Sequence, residues 1–184
     1  MNANNLDDEG RQKVQKVAEK CNVLYMYAPG YSNGNTLSAE HISKTVGFKI
    51  NRLDNIPNGY VTDGKVFDYP ENEFTSFFNI EDDVEVLATY DGGEKTVAAR
   101  KGNIAYIGSP IYESGLIKKI FKGFGVHIYT EDECFVFAGA GIVYVNKAKA
   151  GKVDLALKNG RLRNLQLPDN VTAVFDAETG ERLM

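Results

Sequence analysis

A loop rich in turn-forming residues is the part of the chain best suited to bind a ligand. It spans residues 28–38 and follows Val23–Tyr27, a continuously apolar segment that is typical of a buried strand. Ser38, at the end of the loop, is a residue type that caps helices. Ligands bind at strand-to-helix loops of this kind in open α/β sheets, and the N-terminus of the following helix favours anions.

Four residues in or beside this loop are candidates for ligand binding: Tyr27, Gly30, Tyr31 and Asn33. They would serve a small molecule or a glycan only if they line an open concave site and do not pack into the core. The loop has no phosphate-binding glycine motif and no Walker lysine, and turn geometry also explains its glycines. The sequence therefore predicts a ligand site here without specifying the chemistry of the ligand.

The two cysteines, Cys21 and Cys134, do not predict a nucleophile. A catalytic thiolate needs an activating base and usually lies on an exposed, strained turn. Three acidic residues precede Cys134 and disfavour its thiolate, and neither cysteine lies in a nucleophile elbow. Two cysteines are also too few for a disulfide framework or a zinc site. We therefore predict no catalytic residue.

The histidines and carboxylates show no metal-binding spacing. His41 falls in a predicted helix and His127 in a predicted strand, and no His-x-x-x-His pattern is present. The acidic run Glu81–Glu85 lacks the spacing of a calcium-binding loop and is typical of a solvated turn. The sequence predicts no metal site and no cofactor. Paired carboxylates for glycoside hydrolysis cannot be chosen from spacing alone, because their separation in space decides the chemistry.

The composition is that of an ordinary globular protein of 184 residues, with 43% apolar and 25% charged side chains. This length suits one domain, or one domain with a small partner. An isoelectric point of about 5.3 argues against nucleic-acid binding, and no apolar run is long enough to cross a membrane. No signal peptide opens the chain, which favours the cytoplasm if Met1 is the true start.

The pattern of the first 130 residues predicts an α/β module. Helices are expected over residues 6–20, 39–46 and 112–124, and strands over residues 23–27, 48–53, 84–90, 95–100, 104–108 and 126–129. Asp91-Gly92 marks a tight hairpin, whereas residues 54–79 are expected to form loops and short edge strands. The succession of strand, loop, helix and strand is typical of the α/β class.

The remaining residues predict a different kind of structure. Five short strands with polar turns between them are expected over residues 135–138, 142–146, 152–157, 162–167 and 171–175. No helical pattern follows Gly125. We therefore divide the chain into an α/β module, residues 1–130, and a small antiparallel β domain, residues 131–184.

A series of short motifs in this order resembles the C-terminal region of large bacterial glycoside-hydrolase-like proteins that are related to multi-domain beta-galactosidases. The motifs are Val23–Tyr31, Leu37-Ser38, Thr45–Phe48, Gly108–Pro110, Gly125–Tyr129, Leu167-Pro168, Val174–Asp176 and Thr179–Glu181. The resemblance covers nearly the whole chain.

The resemblance implies a fold and a role. In that family, a trimerisation-type α/β module precedes a small β domain. The module is flavodoxin-like, similar to class I glutamine amidotransferases, and would be incomplete here. It is regarded as non-catalytic, since the catalytic carboxylates of the family lie on a separate barrel, and members of the family are often exported.

The resemblance also predicts an open sheet edge. Relatives have a strand and a helix before the segment that matches Met1–Leu6, and this sequence has none there. Val23–Tyr27 would then lack a neighbour on one side, and a bare apolar edge templates pairing with another chain. We expect residues 54–79 or a second copy of the chain to cover it.

Two functions from different classes therefore stand as expectations. The first is a non-catalytic accessory or assembly domain of carbohydrate-active ancestry, which forms a homo-oligomer or joins other domains of a longer polypeptide. The alternative is a small-molecule or glycan-binding module that uses residues 28–38, with carbohydrate as the partner. A hydrolase with its own carboxylate pair is a third hypothesis. None of the three involves a nucleic acid or a membrane.

Overall fold

A computed structural model describes residues 4–69, 76–160 and 162–184. Contacts between Cα atoms divide the chain into two compact units, Met1–Ile120 and Phe121–Met184. Whether these units are domains with the boundary predicted between residues 130 and 131 stays a prediction. The sequence-based expectations at residues 70–75 fall outside the described residues.

Three helices form where the sequence predicts them. The helices α1 (Asp8–Ala18) and α3 (Ser114–Gly123) are shorter than predicted, whereas α2 (Ala39–Val46) has the predicted bounds. The carboxylate of Asp7 caps α1 by accepting the Gly10 N–H at 2.8 Å. Ser38 caps α2 as predicted, because its hydroxyl accepts the Glu40 N–H at 3.1 Å.

The described strands of the first unit form one eight-stranded sheet. They are β1 (Val23–Met26), β2 (Ile50–Arg52), β3 (Gly59–Thr62), β4 (Lys65–Asp68), β5 (Phe78–Ile80), β6 (Glu85–Tyr90), β7 (Thr96–Lys101) and β8 (Ile104–Ile107). The order along the sheet is β1-β8-β7-β6-β3-β4, while β5 joins β2 to β7. Only the pair of β1 and β8 is parallel, and every other described pair is antiparallel.

The predicted fold class is wrong. Helices account for 17% and strands for 38% of the described residues, which form a mostly β structure with several sheets. A flavodoxin-like or amidotransferase-like α/β module needs successive strands that are parallel and joined by helical crossovers. Here the strand after α2 pairs antiparallel with β5, and short turns join β6, β7 and β8 into an antiparallel meander. The strand expected over residues 126–129 does not form.

Strand β1 lies at an edge of the sheet. It pairs with β8 in parallel, with Val23 opposite Ile104 and Met26 opposite Ile107. Among the described residues, no strand pairs with its other edge. The described part of residues 54–79 lies elsewhere, since β3 and β4 end the opposite side of the sheet and β5 pairs with β2 and β7. The prediction that this segment covers β1 is therefore wrong for residues 54–69 and 76–79.

A core of buried side chains lies where α2, β1, β5 and β8 meet. Ile42, Phe78 and Tyr106 are fully buried in it. Tyr25 also packs into this core, with 7% of its surface exposed. This core supports the loop that follows β1.

The second unit contains the five strands predicted for it, each within two residues of its expected bounds. They are β9 (Phe135–Gly139), β10 (Ile142–Lys147), β11 (Gly151–Ala156), β12 (Leu162–Leu167) and β13 (Val171–Asp176). The order β13-β10-β9 forms one antiparallel sheet, and β11 pairs with β12 in another. A shared core includes Val143, Leu155 and Phe175, all at least 98% buried.

Candidate functional site

A cleft with a volume of about 370 Å³ opens at the carboxyl end of β1. The described residues that line it are Asn4, Tyr27, Ala28, Tyr31, Ser32, Leu37, Arg52 and Ser76. Two of the four residues predicted to bind a ligand, Tyr27 and Tyr31, are therefore brought together in one concavity. Gly30 and Asn33 are not among the lining residues.

The backbone of Tyr27 has a left-handed conformation, with φ of 63°. This conformation is costly for a residue with a side chain, and it persists where the surroundings fix it. The Tyr27 N–H donates to the carbonyl of Ile107 at 2.7 Å, and the hydroxyl of Tyr106 donates to the Tyr27 carbonyl at 2.7 Å. The fully buried Tyr106 thus holds the floor of the cleft in place.

The rings of Tyr27 and Tyr31 are positioned by one buried ring, that of Phe78. Both contacts are edge-on, with ring centroids 6.0 Å apart for Tyr27 and 5.2 Å apart for Tyr31. Burial raises the pKa of Tyr27, the neighbouring Tyr31 raises it further, and the charge of Arg52 acts in the opposite direction. The phenol of Tyr27 is therefore neutral at physiological pH, and it can both donate and accept a hydrogen bond.

Gly30 shapes the loop without lining the cleft. Its φ is 69°, and a Cβ at this position would collide with Oγ1 of Thr45 on α2. Its carbonyl accepts a hydrogen bond from Arg11 Nη2 at 3.2 Å. Arg11 lies on α1 with only 5% of its surface exposed, and it also pairs with Asp8 at 3.1 Å. The loop is therefore held between α1 and α2. Binding of a ligand by Gly30 stays a prediction.

Asn33 stabilises the tip of the same loop. Its side-chain oxygen accepts the backbone N–H groups of Asn35 at 2.9 Å and Thr36 at 2.8 Å, which is the hydrogen bonding of an Asx turn. Nδ1 of His41 lies 3.2 Å from the carbonyl of Tyr31 and ties the loop to α2. Asn33 thus has a structural role in the loop, and its contact with a ligand stays a prediction.

Arg52 is a cleft residue that the sequence analysis missed, and it is the only charged residue among those described as lining the cleft. It lies directly opposite Phe78 in the antiparallel pair of β2 and β5, so both side chains are on the same face of the sheet. Ile50, two residues earlier, is buried on that face. The alternation of Ile50 and Arg52 indicates that both side chains lie on one face of a strand, but it does not indicate which strand pairs with β2.

The remaining reactive residue types lie outside this cleft. Cys21 is exposed and Cys134 is half-buried, and His127 Nε2 lies 2.8 Å from the carbonyl of Ala156. Within the described ranges, no group of three or more His, Cys, Asp or Glu side chains could hold a metal ion. None of the described helices is long and apolar enough to span a membrane.

The chain shares its fold with part of a solved enzyme structure. It is similar to part of the crystal structure of a beta-galactosidase from the psychrophilic Marinomonas ef1, with a TM-score of 0.56 and 13% sequence identity. The match covers 92% of this chain but 27% of that enzyme, so the chain spans about a quarter of its length. No protein-family model and no curated protein matches the sequence. The beta-galactosidase relationship in the predicted resemblance is thus supported at the level of fold.

Proposed function

We propose that this chain is a non-catalytic accessory or assembly domain of glycoside-hydrolase ancestry. The observation that carries the proposal is the structural similarity, in which nearly all of this chain matches about a quarter of a beta-galactosidase. A match of that extent suits a module of a larger enzyme.

The free edge of β1 supports an assembly role through a homo-oligomer. The N–H groups of Val23 and Tyr27 donate to Asn103 and Ile107 on the β8 side. Since hydrogen-bonding direction alternates along a strand, the backbone groups of Leu24 and Met26 point to the open edge. Such an edge offers a ready template for a strand from a second copy.

An aromatic patch in the second unit supports association with other domains of a longer polypeptide. Phe135 and Phe137 on β9 are 64% and 55% exposed, and β9 ends its sheet in the described structure. Exposed apolar patches of this kind mark interaction surfaces.

Light scattering after size-exclusion chromatography tests the homo-oligomer. Met26→Lys places a charge at the open edge, and we expect it to shift the wild-type oligomer toward monomer. Val66→Lys is the matched control, because Val66 is 67% exposed on β4 at the opposite edge of the sheet. A wild-type monomer at high concentration, or equal effects of the two variants, would contradict assembly through β1.

A screen of chromogenic glycosides and glutamine tests the non-catalytic role. We expect no turnover above background. Robust turnover that a single point mutation abolishes would refute this part of the proposal.

The cleft favours a second candidate function, which is binding of a small molecule or a glycan. Its support is the concavity in which Tyr27 and Tyr31 are held beside Arg52. Amide chemical-shift mapping against a panel of mono- and oligosaccharides would detect binding in residues 28–38. A ligand whose shifts disappear in Tyr31→Ala, while the Val66→Lys control retains them, supports this function. A flat response across the panel contradicts it.

A further inference from the structure

We propose that a second cavity in the first unit binds a small primary amine in its ammonium form, which donates to the hydroxyl of Tyr25 and pairs with the carboxylate of Glu19. This cavity is separate from the cleft at the carboxyl end of β1, and the inference does not depend on that cleft.

The second cavity, which we call the amino-end cavity, lies where the last turns of α1 and α2 meet the sheet. Ala18 ends α1, Val46 ends α2, and both residues line the cavity. Ile104, which pairs with the first residue of β1, lines it as well. Asn4 and Ser76, which adjoin the undescribed ranges, line the cleft and not this cavity. The two concavities share no described lining residue.

The floor of the amino-end cavity contains a buried polar group without a partner. Tyr25 lines the cavity and is only 7% exposed, and its hydroxyl makes no hydrogen bond within the part of the chain that the structure describes. The other hydroxyl of the floor, that of Thr45, donates to the carbonyl of His41 at 2.8 Å. An unpaired buried hydroxyl costs free energy, so such a group in a folded protein calls for an explanation. A ligand that completes the hydrogen bond provides one.

The rim of the amino-end cavity offers hydrogen-bond acceptors. Nδ2 of Asn103 is occupied, because it donates to two backbone carbonyls at the end of α1. Nε2 of Gln15 donates to the carbonyl of Lys44 at 2.5 Å. The side-chain oxygens of both amides and the carboxylate of Glu19 can only accept. A ligand with several N–H donors therefore suits this rim.

The charge around the amino-end cavity favours a cation. Glu19 is exposed, and it is the only charged residue among those described as lining the cavity. The C-terminal ends of α1 and α2 add partial negative charge, because the helix dipole has its negative end there. Lys16 and Lys44 lie in the last turns of these helices without lining the cavity, and Lys44 pairs with Glu40 at 2.9 Å.

The size and the apolar part of the lining restrict the body of the ligand. The cavity has a volume of about 400 Å³, near the lower end of the range for small-molecule sites, which is roughly 300–1,000 Å³. Ala18, Val46 and Ile104 supply apolar surface. An ammonium group on a short hydrocarbon chain fits this combination.

An NMR titration of the full chain with three four-carbon probes tests the proposal. The probes are n-butylammonium, n-butanol and butyrate, which present a cation, a neutral group and an anion on a similar body. We expect n-butylammonium to shift the amide signals of Glu19, Gly47 and Asn103. We also expect it to bind about fivefold or more tightly than n-butanol, with butyrate weaker still.

The variant Tyr25→Phe removes only the unpaired hydroxyl. We expect it to weaken binding of n-butylammonium about threefold or more. The midpoint of urea unfolding should stay unchanged or rise, because the hydroxyl has no partner to lose in the described structure. Tyr60→Phe is the matched control, since Tyr60 is buried in the same unit but does not line the cavity, and it should leave the affinity unchanged.

The variant Glu19→Gln removes the negative charge of the rim. We expect it to weaken binding of n-butylammonium about threefold and to leave binding of n-butanol unchanged. Glu9→Gln is the matched control, because Glu9 lies in the first turn of the same helix, and it should leave both affinities unchanged.

Four results would overturn the inference. Absence of shifts with n-butylammonium would show that the cavity does not bind an ammonium group. Equal affinity for all three probes would show an apolar cavity without selectivity. Equal losses in Glu19→Gln and Glu9→Gln would show a general attraction of cations to an acidic chain. Unchanged affinity in Tyr25→Phe, or a lowered unfolding midpoint in that variant, would show that the hydroxyl serves the fold and not a ligand.

Discussion

Replacing Gly30 by alanine perturbs the loop below the cleft at a single point. Gly30 adopts a φ of 69°, and an added Cβ would meet Oγ1 of Thr45, which is buried on α2. The left-handed conformation costs a residue with a side chain about 1 to 2 kcal/mol. Overpacking against a buried neighbour costs about 1 to 3 kcal/mol more. We therefore expect Gly30→Ala to lower the free energy of unfolding by about 2 to 5 kcal/mol.

Gly47→Ala provides a matched control for this substitution. Gly47 has a similar φ of 78°, but nothing lies within 4 Å of the Cβ that alanine would add. Only the backbone cost of about 1 to 2 kcal/mol then applies. Urea-induced unfolding of both variants, followed by circular dichroism, measures the difference between them.

A double-mutant cycle identifies the collision itself. In a Thr45→Ala background the obstructing hydroxyl is absent, so the cost of Gly30→Ala should fall to about that of Gly47→Ala. The reasoning is refuted if Gly30→Ala is no more destabilising than Gly47→Ala in the wild-type background. It is also refuted if Thr45→Ala leaves the cost of Gly30→Ala unchanged.

Three further substitutions or conditions test the supports of the cleft and the core of the first unit. Tyr106→Phe removes the donor to the Tyr27 carbonyl, and we expect a loss of about 1 to 3 kcal/mol in urea unfolding; an unchanged midpoint would contradict the role of that hydroxyl. Arg11→Met removes the clamp on the Gly30 carbonyl, so amide exchange in residues 28–38 should accelerate, and unchanged exchange would argue against the clamp. Burial raises the pKa of Tyr60 from 10.0 to about 12. The contribution of the buried neutral phenol to the free energy of unfolding is therefore complete below pH 10 and is lost as the pH rises toward 12. Urea unfolding across this range should show a smaller loss of stability in Tyr60→Phe than in the wild type.

Local signals in the sequence determined where most of the helices and strands lie. The cap at Ser38 and the left-handed Gly47 bound α2 as predicted, because capping depends on a few adjacent residues. The Asp91-Gly92 turn likewise predicted the hairpin of β6 and β7. The strands after residue 134 were predicted from alternating polarity and turn residues, which are also local features.

Only the tertiary structure decided which strands pair and which side chains meet. The residues of β2 do not indicate whether this strand lies parallel beside β1 or pairs antiparallel with β5, because β5 is about thirty residues away in the chain. The same limit hid Arg11, a charged residue that is buried because a loop carbonyl accepts from it. It also hid Arg52, whose place beside Tyr27 follows from its register with Phe78. Tyr27 and Tyr31 lie at the end of β1 and in the loop that follows it, whereas Arg52 reaches the same cleft through a strand pairing that no short segment encodes.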